Sequence, residues 1–414
     1  MSKLIHDNIH GYMEFEPLCL QIIDSPEFQR LRNLKQLGAA SYVFPCGNHS
    51  RFEHSLGVAY LSELMLKNIK SNQPELNLDE RIILLVKIAG LIHDLGHGCY
   101  SHFFDNILLK NSNSLNKYHE TRSCWIFKNM ISKYNINITD NEFNFIKELI
   151  LPPKYKITWL HQIVANSING LDTDKFDYLK RDTQAIGLPY SIDSSRILMQ
   201  ARVINNMICY PYKEVYSIYE MFHTRYRLHK QIYTHPVIQQ IEFMILDILE
   251  LIDPIYKISD SINNISDFIK ISDDILDFIY YMDDGISDKI IKAKNIIEKI
   301  KKRDLYSFID EIDCNFIKNK IKVSDFLNID PDLKKDEIIL HYMCIGYTGN
   351  SHNPLDDILF YKTENINNAF KCDKHKVSQL IPEKFNEKIL RVFSKNKNNN
   401  TKIKDILIKI LNNQ

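Results

Sequence analysis

A mostly α protein, with a helical core and a small C-terminal α+β lobe, is what this sequence predicts. Apolar residues recur at helical spacing through roughly Leu251. After Glu337, short runs rich in Ile, Leu, Phe and Tyr read as strands. At 414 residues the chain is long enough to bury a large core and to carry a smaller lobe beside it.

The elements follow in order. Ser25-Pro26-Glu27 opens a helix, with Ser25 as N-cap and Pro26 in the first turn. Phe28, Leu31, Leu34 and Leu37 continue it at helical spacing. Glu53 to Lys70 predicts a second helix. Asp79 to Leu95 predicts a third, capped by Asp79 and stopped by Gly96. Asn111-Ser112-Asn113-Ser114, Leu151-Pro152-Pro153 and Pro211-Tyr212 read as joints. Residues 1–251 are thus expected to form the core, and Ile-, Asp- and Lys-rich helices to fill 252–336. In 337–414, Ile338–Tyr342, Ile358–Tyr361 and Ile389–Phe393 predict strands. A polar linker, Asn396–Asn400, leads to a final helix striped by Ile403, Ile406, Leu407, Ile410 and Leu411.

Composition narrows the function classes. Hydrophobic residues make up 44% and charged residues 25%, ordinary for a soluble globular chain, and the formal net charge is zero. That balance does not indicate nucleic-acid binding and leaves room only for a local basic cleft. The eight cysteines are scattered and form no CxxC, so neither a zinc ribbon nor a dense disulfide framework is indicated. The first residues have no signal-peptide shape, and no apolar run reaches membrane-spanning length. A reducing intracellular setting (cytoplasmic, nuclear or viral) without a membrane partner is the expectation.

The chemistry concentrates in a few places. His93 and Asp94 end the apolar run Ile82–Ile92. Adjacent residues reach one metal only where the backbone leaves helical geometry, and Gly96 and Gly98 are expected to permit that. Imidazole with carboxylate suits Zn, Fe, Mn or Ni better than Mg alone. By itself such a pair also reads as a helix cap. It is not alone, because His97, His102, Asp105, His119 and Glu120 follow closely. His102 and Asp105 share a helix face at that spacing, and a carboxylate beside an imidazole raises its pKa toward that of a general acid at neutral pH. Arg51 and His54 also face one way, which lets an arginine hold a phosphate that a metal touches. Asp174, Tyr178 and Asp182 form one helical stripe, with Lys175 one step round. Arg225, His229 and Tyr233 repeat that spacing. Either stripe alone reads equally as a solvated helix face with a half-buried tyrosine.

Several blocks carry a family resemblance. Phe28-Gln29-Arg30-Leu31-Arg32, Arg51 to Val58, His93 to Gly98, Asp174 to Tyr178, Met221 to Arg225 and Val377 to Phe385 stand in one order. Together they resemble the HD-domain deoxynucleoside triphosphate (dNTP) triphosphohydrolases, and within them the SAM-and-HD-domain dNTPases, over nearly the whole chain. The SAM domain of those enzymes has no counterpart here, so the sequence is expected to start at the catalytic core. The resemblance implies an HD-type helical core that converts dNTP and water to deoxynucleoside and triphosphate. It implies His54, His93, Asp94 and Asp174 as ligands of a divalent transition metal (Fe, Mn or Zn), alone or with Mg. His102 would be the proton donor, with His97, Asp105 and His119 beside it. Arg51, Lys175 and Arg225 would hold the triphosphate, Gln36 and Asp182 the 3′-hydroxyl, and Tyr178, His229 and Tyr233 the sugar and base. It also implies activation by GTP or dGTP at Lys3, Asp24, Gln29 and Arg32, and by dNTP at Arg196, Lys213, His235, Lys371 and Lys374, with assembly from dimer to homotetramer. Pro211 and Pro236 stand where the family's second activator site has basic residues. Other HD phosphohydrolases, acting on monophosphates or cyclic nucleotides, and an HD scaffold that binds nucleic acid are the alternative readings.

Overall fold

The computed structural model describes residues 1–110, 112–189, 193–348 and 353–413, without the side chains of residues 286, 374 and 375. Asn111 of the first predicted joint lies outside the described residues. The chain is mostly helical, as expected. Its strands are β1 (Lys3–Asp7), β2 (Gly11–Phe15), β3 (Arg202–Ile204), β4 (Met207–Pro211), β5 (Ser307–Asp313), β6 (Ile338–Gly346), β7 (Leu359–Lys362), β8 (Asn365–Lys371) and β9 (Asn386–Ser394). Among the described residues no helix is long and apolar enough to cross a membrane.

Two compact units emerge, each assembled from three stretches of chain rather than from consecutive segments. The first comprises Met1–Thr224, Lys257–Ile275 and Asn353–Ile381. It opens with the antiparallel β1–β2 hairpin, in which Lys3 pairs with Phe15 and Asp7 with Gly11. Gly11 takes φ 71°, the left-handed turn a glycine allows. The helix Arg51–Asn72 packs against Glu80–Ile92 and Thr173–Ala185. Asp79 caps the middle one by accepting from the Arg81 amide, as its sequence position predicts. β3 and β4 form a hairpin, β4 pairs parallel with β7, and β7 pairs antiparallel with β8.

The second unit comprises Arg225–Tyr256, Leu276–His352 and Pro382–Gln414. Its sheet is antiparallel in the order β5-β9-β6. Leu390 and Val392 of β9 pack with Ile403, Ile406, Leu407 and Ile410, the stripe predicted on the final helix, Asn400–Asn412. Arg391 is buried in this unit, where it donates to Glu311 Oε2 at 2.7 Å and Gln239 Oε1 at 2.9 Å. Such pairing makes a buried guanidinium tolerable.

Several expectations change. Ser25 does cap a helix, accepting from the Phe28 amide, but that helix is only Pro26–Gln29 and gives way to a 3-10 turn, Arg30–Asn33. Leu34 is extended because the donors after it find partners outside a helix. Lys35 N donates to Asp273 Oδ2 at 2.8 Å and Gln36 N to His49 O at 2.9 Å. Phe28, Leu31 and Leu34 are all fully buried, so the apolar spacing reported the core rather than one helix. The hairpins β1–β2 and β3–β4 interrupt the expected all-helical core. β5 and β8 are further strands that the sequence reading passed over.

Candidate active site

His54 lies in the first turn of the Arg51–Asn72 helix, and His93 just beyond the end of Glu80–Ile92. Asp174 lies in the first turn of Thr173–Ala185, whose N-cap, Asp172, accepts from the Lys175 amide. Packing of the three helices brings the predicted metal ligands together. One nitrogen or oxygen each from His54, His93 and Asp94 lies within 4.8 Å of the others. Asp174 Oδ1 stands 3.0 Å from His54 Nε2 and 3.6 Å from His93 Nε2.

The outer nitrogens are committed. His54 Nδ1 bonds Asp177 Oδ2 at 2.7 Å, and His93 Nδ1 donates to Gly90 O at 2.7 Å. Both Nε2 atoms therefore face inward, and His93 Nε2 is buried with no hydrogen-bond partner. This is how imidazole ligands are oriented toward a metal. Asp174 has 34% of its side chain exposed, against 5% for Asp94, so the set opens to solvent on that side.

The electrostatics point the same way. Burial alone would depress the His54 imidazolium, but bonds to Asp174 and Asp177 outweigh it and raise its pKa to about 10. His93 is raised against burial by Asp94 and Asp174. Asp94 and Asp174 are both held below the usual carboxylate range despite burial. Arg51, His93 and His97 act on Asp94, and His54 and His93 on Asp174. The pocket thus favours positive charge at its centre. Two imidazoles and two carboxylates fit Zn, Fe or Mn.

His97, His102 and His119 form a second cluster, again with one nitrogen each within 4.8 Å of the others. The His97 and His119 rings stack at 3.8 Å between centroids. His97 Nε2 is 3.2 Å from Asp94 Oδ1, which joins the two clusters. Here the charged forms of His97 and His102 are disfavoured. Burial, Arg51 and His119 hold His97 well below the ordinary value and press His102 down to about 4.

The predicted His102–Asp105 pair is corrected by the structure. Asp105 Oδ2 instead accepts from the His119 amide at 2.9 Å and bonds His119 Nδ1 at 2.8 Å, while Oδ1 pairs with Arg122. The carboxylate serves His119, and His102 is lowered rather than raised. The expected role of the glycines also changes. His93 stays helical, with φ −55° and ψ −31°, and the left-handed residues are Tyr100 and Ser101. Gly96 matters for close approach, since a Cβ there would sit 2.1 Å from His119 O.

The remaining candidates distribute unevenly. Arg51 is buried, paired with Asp94, and donates to Ser101 Oγ at 3.0 Å. Tyr178 and Asp182 share the Thr173–Ala185 helix with Asp174, as their spacing predicts. Lys175 Nζ lies 3.4 Å from Asp172 Oδ1. His49 bonds Asp182 Oδ1 at 2.7 Å while its carbonyl accepts from Gln36, so His49 ties these two together. Arg225, His229 and Tyr233 belong to the second unit, and their even spacing is broken by a π-helical turn over His229–Tyr233.

Of the activator candidates, Lys3, Asp24 and Arg32 are exposed, and Gln29 accepts from Arg32 Nε at 2.8 Å. Arg196 is paired with Glu214 at 2.7 Å, Lys213 is exposed, and Lys371 lies 3.8 Å from Asp357. His235 accepts from the Val237 amide at 3.2 Å, and the Lys374 side chain lies outside the described residues. Pro211 ends β4, and Pro236 opens the helix Pro236–Tyr256. Sequence reading missed His10, His49, Asp177, Arg122 and Asp273 as members of or buttresses to the site. Asp177 stands inside a motif block and His49 two residues before one, but nothing in their spacing distinguishes an outer partner from a bystander.

A helical core that gathers a His, a His-Asp pair and a distant Asp defines the HD class, and the HD domain family model matches residues 51–170. The chain is 38% identical over 422 residues to the deoxynucleoside triphosphate triphosphohydrolase SAMHD1 homolog of Dictyostelium discoideum, covering 100% of this chain and 81% of that protein. It is 37% identical over 445 residues to human deoxynucleoside triphosphate triphosphohydrolase SAMHD1, covering 95% of this chain and 70% of the human one. A putative HD domain-containing protein of Acanthamoeba polyphaga mimivirus is 35% identical over 423 residues, with 95% and 92% covered. The chain belongs to the SAMHD1 family of deoxynucleoside triphosphate triphosphohydrolases.

Proposed function

We propose that this protein hydrolyses dNTPs to deoxynucleoside and inorganic triphosphate, with His54, His93, Asp94 and Asp174 holding a divalent ion of the Fe, Mn or Zn type. The observation that carries this reading is the junction at Asp94. One carboxylate touches both a cation-seeking ligand set and, at His97, a second histidine cluster in which burial and positive neighbours disfavour the charged forms of His97 and His102. Such an ion would supply Lewis-acid polarisation of a phosphate oxygen and ease ionisation of water. Arg51 and Lys175 neutralise the triphosphate, and the resemblance adds Arg225. His102 protonates the departing 5′-oxygen, with His97 and His119 around it and Asp105 holding His119. In the free protein the Arg51 cation helps keep His102 neutral. Burial holds His102 down most, and a triphosphate that neutralises Arg51 relieves the part of the depression owed to that cation, so substrate makes His102 easier to protonate. Gln36 and Asp182 read the 3′-hydroxyl, while Tyr178 excludes a 2′-hydroxyl; His229 and Tyr233 complete the sugar and base wall by resemblance.

The same reading includes guanine-nucleotide activation. Exposed Lys3 and Arg32 suit phosphates, and exposed Asp24 suits a guanine N1–H and amino group. Arg196, Lys213, His235, Lys371 and Lys374 are the candidates for a second, dNTP-binding site. Pro211 and Pro236 offer it no charge, so that site should need more dNTP. Binding at both sites would favour a homotetramer only by preferring the assembled form. The eight free thiols fit a reducing compartment. The test is to incubate purified protein with each dNTP, with and without GTP, and to resolve products. Triphosphate plus deoxynucleoside is expected; release of pyrophosphate or monophosphate would replace this reaction with another HD phosphohydrolase chemistry.

A further inference from the structure

The turn of the N-terminal hairpin is wired to the outer side of the metal-ligand set. Asp177 lies three residues beyond Asp174 and is fully buried. Its Oδ2 accepts from His54 Nδ1 at 2.7 Å and from Arg181 Nε at 2.8 Å. Its Oδ1 bonds His10 Nε2 at 2.7 Å and accepts from Arg181 Nη2 at 2.9 Å. Arg181 also donates to Asp7 Oδ2 at 2.8 Å. Asp7 in turn shapes the hairpin turn, its Oδ1 accepting from the amides of Ile9 at 2.9 Å and His10 at 3.0 Å.

The network has a slot made for it. Gly57 lies one turn after His54 on the same helix, and a Cβ there would sit 1.9 Å from Asp177 Oδ1 and 2.6 Å from Arg181 Nη2. Only a glycine lets that carboxylate reach His54 while it also holds the hairpin. Every member is nearly excluded from water, with side-chain exposures of 6% for His10, 1% for His54, 0% for Asp177 and 4% for Arg181. A buried carboxylate with four donors cannot rotate without leaving some of them unpaired, which is costly.

We propose that Asp7 and His10 are positioning residues for the metal ligand His54, acting through Asp177, so that docking of the β1–β2 hairpin and binding of a divalent ion reinforce each other. This rests on reading His54, His93, Asp94 and Asp174 as a metal site. The physical reason is that Asp177 fixes the His54 ring only while its own orientation is fixed. Without His10, Oδ1 keeps only Arg181. Without Asp7, Arg181 loses its second carboxylate and the turn loses two amide bonds. Linkage then makes the effect reciprocal, so an ion that needs His54 in place also holds the hairpin down.

The probe is Mn²⁺ with the full chain, its affinity measured by competition with a fluorescent chelator. His10→Ala is expected to weaken Mn²⁺ binding by about ten- to a hundredfold, the usual scale for an outer partner of a ligand. His10→Gln, which keeps an N–H donor, should fall between it and the parent. Gly57→Ala should weaken binding as much as His10→Ala. Tyr12→Ala, on the exposed side of the same hairpin, should leave the affinity unchanged. In the parent, Mn²⁺ should slow hydrogen exchange at the Ile9 and His10 amides, a measurement that needs no variant to fold. If His10→Ala binds Mn²⁺ as the parent does while melting at a lower temperature, His10 is merely structural and the proposal is wrong. Unchanged Ile9 and His10 exchange on adding Mn²⁺ would overturn it equally. A parent that takes up no divalent ion would sink the metal-site reading beneath it, whereas triphosphohydrolase activity is scored separately by its products.

Discussion

The two histidine clusters share a residue type and lie on either side of one carboxylate, yet their charge states are driven in opposite directions. His54 and His93 face Asp94, Asp174 and Asp177, and their imidazoles are pushed toward the cation. His97 and His102 face Arg51 and His119, and theirs are pushed toward the neutral form. Identity and burial do not separate these groups; the sign of the neighbouring charges does. Under the proposed function the first cluster receives a cation, and the second takes up a proton once an anion arrives.

The largest expected effect comes from emptying the first cluster. Asp94→Ala and His93→Ala should lose bound metal and fall to background turnover together, checked by metal analysis alongside a product assay. Asp94 also contacts His97, so its loss should disturb both clusters, whereas His93→Ala should spare the second. A metal-free, active Asp94→Ala protein would remove the basis for the contrast. Emptying the second cluster should act differently. His102→Ala should keep its metal and lose turnover by about a hundredfold or more at saturating substrate. A loss of only a few-fold would make His102 structural.

Stability against pH tests the contrast without substrate. The His54 pKa is raised from 6.5 to about 10, so in metal-free protein its contribution is full below pH 6.5 and is lost as pH rises toward 10. The His102 pKa is lowered from 6.5 to about 4, so its contribution is present above pH 6.5 and is lost as pH falls toward 4. The melting temperature of metal-free protein should therefore fall on both sides. Mn²⁺ should flatten the alkaline side only, because an ion replaces the proton on the first cluster. Flattening of the acid side instead would exchange the assignments.

Smaller effects belong further from the junction. Tyr178→Ala should cut the preference for dNTP over NTP by about tenfold, since one hydroxyl in a wall is worth little more. Equal hydrolysis of ATP and dATP by the parent would refute that assignment. Asp24→Ala should raise the GTP needed for half-maximal activation by about tenfold, with turnover and light scattering as readouts. Full activity and unchanged mass without any guanine nucleotide would show that no such switch operates.

Family resemblance implied the four residues of the candidate metal set, while the sequence by itself determined the mostly helical class, the strands β6, β7 and β9 and the apolar stripe of the last helix. Each is encoded locally, by apolar period or by a short motif, and survives without knowledge of its neighbours. The Asn205-Asn206 turn was passed over, because the run around it reads as helix, although two left-handed residues in a row form the β3–β4 hairpin turn. Tertiary structure decided the rest. Asp105 lies three residues from His102 in sequence but serves His119, because Arg122 and the start of the His119–Tyr134 helix are carried to it. Asp273 stands some 170 positions from Tyr100 and accepts from its amide at 2.6 Å. His10 reaches Asp177 across 167 positions. Spacing along a chain fixes which residues can share a face. Which charge stands opposite that face depends on how distant segments pack, and it is that charge that sets protonation, metal affinity and orientation.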